Sequence, residues 1–171
     1  IKNNTIDGGY GGGFYSWNAT GEVTRNIFNN NFADYGSAVR LNYGGINFYN
    51  NTLWNNGTSS PTFGVLYTRS TEHRVFNNII GDSTSNEFTY VEVINTPIAV
   101  EYNLIQNGYD GNGNISDDPE MVDPNNGDFR LQYTSPAIDA GDPDLDQDGI
   151  TWENDTDDQD PDGTRMDIGS Y

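Results

Sequence analysis

A six-residue pattern, apolar, variable, polar, Asn, variable, apolar, returns along the first two thirds of the chain. Ile1-Lys2-Asn3-Asn4-Thr5-Ile6 is followed by Ile27-Phe28-Asn29-Asn30-Asn31-Phe32, Phe48-Tyr49-Asn50-Asn51-Thr52-Leu53, Val75-Phe76-Asn77-Asn78-Ile79-Ile80 and Val100-Glu101-Tyr102-Asn103-Leu104-Ile105. The starts lie 26, 21, 27 and 25 residues apart. A second short apolar run precedes each later copy: Gly13-Phe14-Tyr15-Ser16-Trp17, Ser37-Ala38-Val39-Arg40-Leu41, Gly64-Val65-Leu66-Tyr67-Thr68 and Tyr90-Val91-Glu92-Val93-Ile94. No window sustains apolar residues at the i, i+3, i+4, i+7 spacing of a helix. Short strands between Gly, Asn, Ser and Asp corners, repeated at a fixed period, predict an all-β fold, a right-handed parallel β-helix.

In such a solenoid, equivalent residues of successive coils stack about 4.8 Å apart. Asn4, Asn30, Asn51, Asn78 and Asn103 are then expected to form one internal ladder, each side-chain amide bonding to its neighbours. The asparagines thus read as structure before they read as a binding site. Six Asn-x-Ser/Thr sequons, starting at Asn3, Asn18, Asn50, Asn56, Asn114 and Asn154, follow largely from the abundance of Asn, of which there are 24.

Charge divides the chain in two. Residues 1–116 carry nine acids and five bases, whereas residues 117–171 carry seventeen acids and two bases. The division predicts β-helix coils over 1–116 and an acidic capping segment packed on the last coil over 117–171. With a formal charge of -19 and only seven Lys and Arg, no nucleic acid is expected as partner, and an anionic membrane surface is a poor one. No apolar run reaches the ~18 residues of a membrane span. There is no cysteine, so thiolate metal sites and disulfides do not arise. The chain opens inside a repeat, which reads as a fragment or a processed product.

The run Gly11 to Tyr15 and the Asn-Asn copies resemble the bacterial parallel β-helix repeat proteins of the pectate-lyase-like superfamily. The C-terminal part is similar to their usual ending, with Asp128-Phe129-Arg130-Leu131, Ser135-Pro136-Ala137-Ile138-Asp139-Ala140-Gly141 and Asp167-Ile168-Gly169-Ser170-Tyr171. The resemblance implies a secreted or cell-surface protein whose last segment folds over the open end of the helix. The superfamily includes polysaccharide lyases and glycoside hydrolases, but no motif allows catalytic residues to be carried over.

The sharpest chemical signal is acidic. Read as a 12-residue calcium loop, residues 144–155 place Asp144, Asp146 and Asp148 at positions 1, 3 and 5, and Gly149 at the sharp turn. Ile150 supplies a carbonyl at position 7 and Asp155 stands at position 12. Asp in place of Glu there resembles dockerin and extracellular calcium-repeat loops. A second run, Asp158, Asp160, Asp162, ends on Gly169 at its twelfth position, so Asp167 or Asp157 would complete its shell. Twelve acids and one base between Asp139 and Asp167 repel one another unless a cation joins them, and Ca²⁺ is the expected cofactor.

Catalytic groups are sparse. The bases are Lys2, Arg25, Arg40, Arg69, His73 and Arg74, and the strand acids are Glu92 and Glu101. Residues 69–74 read as a solvated corner with a local ion pair. Tyr15, Trp17, Tyr49 and Trp54 are candidates for stacking on sugar rings. The expected function is a non-catalytic, calcium-stabilised module of an extracellular protein, a rigid spacer or an adhesive that contacts a polysaccharide or cell-surface glycan. The alternatives are a polysaccharide lyase or glycoside hydrolase fragment, and a filament subunit that self-associates end to end through its coil ends.

Overall fold

The computed structural model describes residues 1–58, 64–69, 72–82, 88–90 and 99–170. The expected strand at Tyr90 to Ile94 is described only at Tyr90, and Glu92, Ser70 and Thr71 lie outside the described residues. The first coil holds β1 (Thr5–Tyr10), β2 (Phe14–Trp17), β3 (Gly21–Thr24) and β4 (Ile27–Asn29). The second holds β5 (Phe32–Tyr35), β6 (Val39–Asn42), β7 (Ile46–Tyr49) and β8 (Thr52–Trp54). The third contributes β9 (Leu66–Arg69), β10 (Arg74–Phe76) and β11 (Ile79–Gly81), and the last β12 (Phe88–Tyr90), β13 (Ala99–Glu101) and β14 (Leu104–Ile105).

Each strand pairs in parallel with its counterpart one coil away, giving three four-stranded sheets in a solenoid of about three turns. Register puts like on like. Val23, Phe48, Val75 and Val100 stack on one sheet, and Phe28, Leu53, Ile80 and Ile105 on the next. With Val39 and Leu66 of the third sheet they fill one core. Alternation sends the residues between them outward. Among the described residues no helix is long and apolar enough to cross a membrane.

The Asn pairs sit at corners, and the two members do different work. The first takes a left-handed backbone: φ is 50° at Asn50 and 54° at Asn77, with Arg25 at 56° and Tyr102 at 52° in the same place. Asn tolerates this region better than most residues. The second points inward. Asn26, Asn51, Asn78, Asn103 and Asn114 form a continuous ladder, each amide nitrogen 2.9–3.2 Å from the next Oδ1.

The expected ladder is therefore corrected at two members. Asn4 belongs to a separate ladder with Asn31 and Asn56 at the next corner. Asn30 is that corner's left-handed residue, with φ 56°, and its amide donates to Asn3 Oδ1 at 2.7 Å. Asn-Asn pairs serve both corners, Asn50-Asn51 and Asn77-Asn78 at one, Asn30-Asn31 and Asn55-Asn56 at the other, so the copy at Ile27 aligned with the wrong corner. The copy that matches Phe48 begins at Val23.

Residues 107–116 cover the last coil. Asn114 completes the ladder, Ile115 pairs with Leu104, and Tyr109 packs against the core. The acidic segment then forms an antiparallel hairpin, β15 (Met121–Asp123) and β16 (Asp128–Leu131), joined by a 3-10 helix (Pro124–Asn126). Met121, Phe129, Ala137 and Ile168 form a second apolar cluster with Trp54, Ile79 and Leu104 on the outside of the coils. The segment runs back along this flank. Asp142 N–H and Gly169 N–H both bond to Asn77, and Ser170 reaches Thr52 at 3.0 Å.

Candidate metal centre

The loop after Asp142 folds around its own carboxylates. Asp144 Oδ2 accepts Gly149 N–H at 3.1 Å, Asp146 Oδ1 accepts Asp148 N–H at 3.1 Å, and Asp148 Oδ1 accepts Ile150 N–H at 2.7 Å. Left-handed backbone at Gln147 and Gly149 lets the chain turn this tightly. Beyond it, Asp155 caps a 3-10 helix, Thr156–Asp158, by accepting Asp157 N–H at 2.9 Å. That turn carries Asp158 back underneath Asp144.

Asp158 is fully buried. Its Oδ1 accepts Leu145 N–H at 2.6 Å, while its Oδ2 and Asp144 Oδ1 are both buried without a hydrogen-bond partner. Carboxylate oxygens of Asp144, Asp146 and Asp158 lie within 4.8 Å of one another. Burial pushes the Asp158 carboxyl above its ordinary range, the charges of Asp155, Asp144 and Asp146 push the same way, and the Leu145 N–H opposes them. An uncompensated buried carboxylate costs several kcal/mol in roughly this setting. Asp146 is shared with a neighbouring group, Asp146, Asp148 and Asp155, and Ile150 contributes its N–H to the same turn.

Sequence spacing assigned Asp158 to the second acidic run, but the structure brings it to the first. Asp160 and Asp167 gather instead with Asp139, which the sequence reading did not include. Asp167 accepts Asp139 N–H at 2.8 Å. Burial raises Asp167, and raises Asp160 to about 6 with the help of Asp162 beside it. Asp162 belongs to neither group: its Oδ1 is turned to Thr164, accepting from N at 3.0 Å and from Oγ1 at 2.6 Å. The run Ser135-Pro136-Ala137-Ile138-Asp139 gave no signal for Asp139 beyond its charge.

Glu72 is exposed, as the solvated corner expected at residues 69–74 requires, but His73 and Arg74 are not. His73 is buried, accepts Ile46 N–H on Nδ1 at 3.0 Å, and is pushed by burial down to about 4 against the opposing Leu41 carbonyl. Arg74 is mostly covered and pairs with Asp142. Its other nitrogen donates to the Leu145 carbonyl at 2.7 Å. His73 lies level with the core residue Ile46 and faces the coil interior, whereas Arg74 is covered by the acidic segment that it grips.

Of the candidate sugar-stacking aromatics, Tyr15 and Trp17 are exposed at 43% and 60%, joined by Tyr10 at 48%. Tyr10 and Tyr15 rings stack at 6.1 Å, and the Arg40 guanidinium lies between Tyr10 and Tyr67. Trp54 is buried in the flank cluster, and Tyr49 stacks on Phe76 at 4.8 Å. No family model, curated protein or solved structure matches the chain.

Proposed function

We propose that this chain is a non-catalytic, calcium-stabilised β-solenoid module of a secreted or cell-surface protein. The pectate-lyase-like resemblance belongs to the same proposal. The observation that carries it is the pair of buried, unpartnered oxygens, Asp144 Oδ1 and Asp158 Oδ2, in a group with Asp146. Buried polar atoms are almost always satisfied, so an orphaned oxygen on each of two carboxylates of one group calls for a cation. An all-oxygen set on a bent loop suits Ca²⁺, which takes six to eight oxygens in flexible geometry. Mg²⁺, demanding a smaller octahedron, fits poorly. The ion would leave the solenoid a rigid spacer whose flank is locked in place. The exposed Tyr10, Tyr15 and Trp17 support an accessory contact with a polysaccharide or cell-surface glycan.

Thermal melting and limited proteolysis in EDTA, Ca²⁺ and Mg²⁺ test this. Calcium at 100 times its dissociation constant should stabilise the segment by about 2.7 kcal/mol, and magnesium should do much less. Identical melting and cleavage in EDTA and Ca²⁺ would overturn the calcium reading.

A further inference from the structure

Arg74 stands on β10, outside the acidic segment, yet it grips that segment at two points around Asp144. One guanidinium nitrogen pairs with Asp142 and another donates to the Leu145 carbonyl. Both contacts lead into the metal centre. Asp142 Oδ1 accepts Asp144 N–H at 3.1 Å, and the Leu145 N–H holds Asp158 Oδ1 at 2.6 Å. A single residue, Asp142 on one path and Leu145 on the other, thus joins Arg74 to each of the two residues that carry an orphaned oxygen. The guanidinium is itself fixed, lying 4.0 Å over the Phe76 ring, which stacks on Tyr49 in the coil below. A planar, five-donor group is what such a two-point grip requires; an ammonium on a flexible stem cannot reproduce it.

We infer that Arg74 is a positioning residue for the cation, assembling the Asp144, Asp146 and Asp158 oxygens only when the acidic segment is docked on the third coil, so that ion binding and docking are one coupled event. This rests on the calcium reading of the same site. The coupling is reciprocal: whatever docking adds to ion affinity, the ion adds to docking by the same factor. Groups that orient metal ligands from outside the coordination shell typically govern affinity by about 10–100-fold.

The test is calcium titration calorimetry of the parent chain, Arg74→Met, Arg74→Lys and, as a control on the same solenoid, Arg69→Met. The parent should bind, Arg74→Met should bind about 10–100-fold more weakly, Arg74→Lys should fall between, and Arg69→Met should match the parent. A second measurement needs no variant: the Arg74 side-chain NMR signals and the Leu145 amide signal of the parent should change together as calcium is added. A parent that binds calcium while Arg74→Met binds equally well, or while the Arg74 signals stay unchanged, overturns the coupling and leaves the calcium reading intact. A parent that does not bind overturns both.

Discussion

Replacing Asn78 by Ala removes the central rung of the long ladder, and the structure fixes what is lost. Asn78 Oδ1 is the acceptor for both the backbone N–H of Asn51 at 3.0 Å and its amide nitrogen at 3.1 Å. Its own Nδ2 donates to the carbonyls of Phe48 and Phe76 and to Asn103 Oδ1. All of this lies at a site with no solvent exposure. Orphaning the Asn51 N–H costs about 1–3 kcal/mol. The cavity left by the amide and the carbonyls that lose a donor bring the total to about 3–5 kcal/mol. Asn30→Gly is the control, because it removes an exposed corner amide without straining a left-handed backbone, and should change stability by less than about 0.5 kcal/mol. Equilibrium urea unfolding at fixed calcium, fitted with a common slope, gives both numbers. Equal midpoints for the two variants would refute the assignment of Asn78 to a buried, mutually dependent ladder.

Further outcomes concern pH and packing. Without metal, the acidic segment should lose stability as pH rises from about 4 through about 6. Burial holds Asp158, Asp167 and Asp160 above their ordinary values, with Asp160 at about 6, so the folded state keeps protons that the unfolded chain releases. Saturating calcium should reverse the slope, since protons then compete with the ion. The solenoid should show the opposite trend, losing about 3 kcal/mol as pH falls from 6.5 to 4, because His73 titrates at about 4 when folded. His73→Gln should flatten that slope. Hydrogen exchange resolved by region separates the two effects. Gly141→Ala would bring a methyl to 2.5 Å from the Met166 carbonyl and 3.0 Å from Asn77 Nδ2. Proteolysis of this variant should therefore start in residues 139–170 while the coils stay resistant.

The solenoid was legible because its information is periodic: every coil repeats the same apolar positions, and stacking depends only on that repetition. The ladder register was less so. Asn3, Asn30 and Asn55 take the same left-handed turn as Asn50 and Asn77, so two physically distinct corners look alike in sequence, and Asn26 hides behind Arg25. The local geometry of the acidic loop also followed from spacing, since the turns at Asp144, Asp146 and Asp148 need only neighbouring N–H groups. Asp158 did not, because its burial against Asp144 depends on the intervening cap at Asp155. Asp139 comes to Asp167 across 28 residues, a distance that no local spacing encodes. The burial of Arg74 was likewise invisible, because what covers it is a segment some 70 residues downstream, and His73, polar at an inward position opposite Ile46, did not read as core.

Calcium binding to the parent chain and to Asp158→Asn, compared by titration calorimetry, tests the central claim most directly. Asp158→Asn keeps an oxygen for the Leu145 N–H but removes the charge that faces Asp144, whereas Asp162→Asn alters an acid turned away to Thr164. The parent should bind calcium, Asp158→Asn should bind it at least about tenfold more weakly, and Asp162→Asn should match the parent. A parent that takes up no calcium, or an Asp158→Asn variant with unchanged affinity, would contradict that claim.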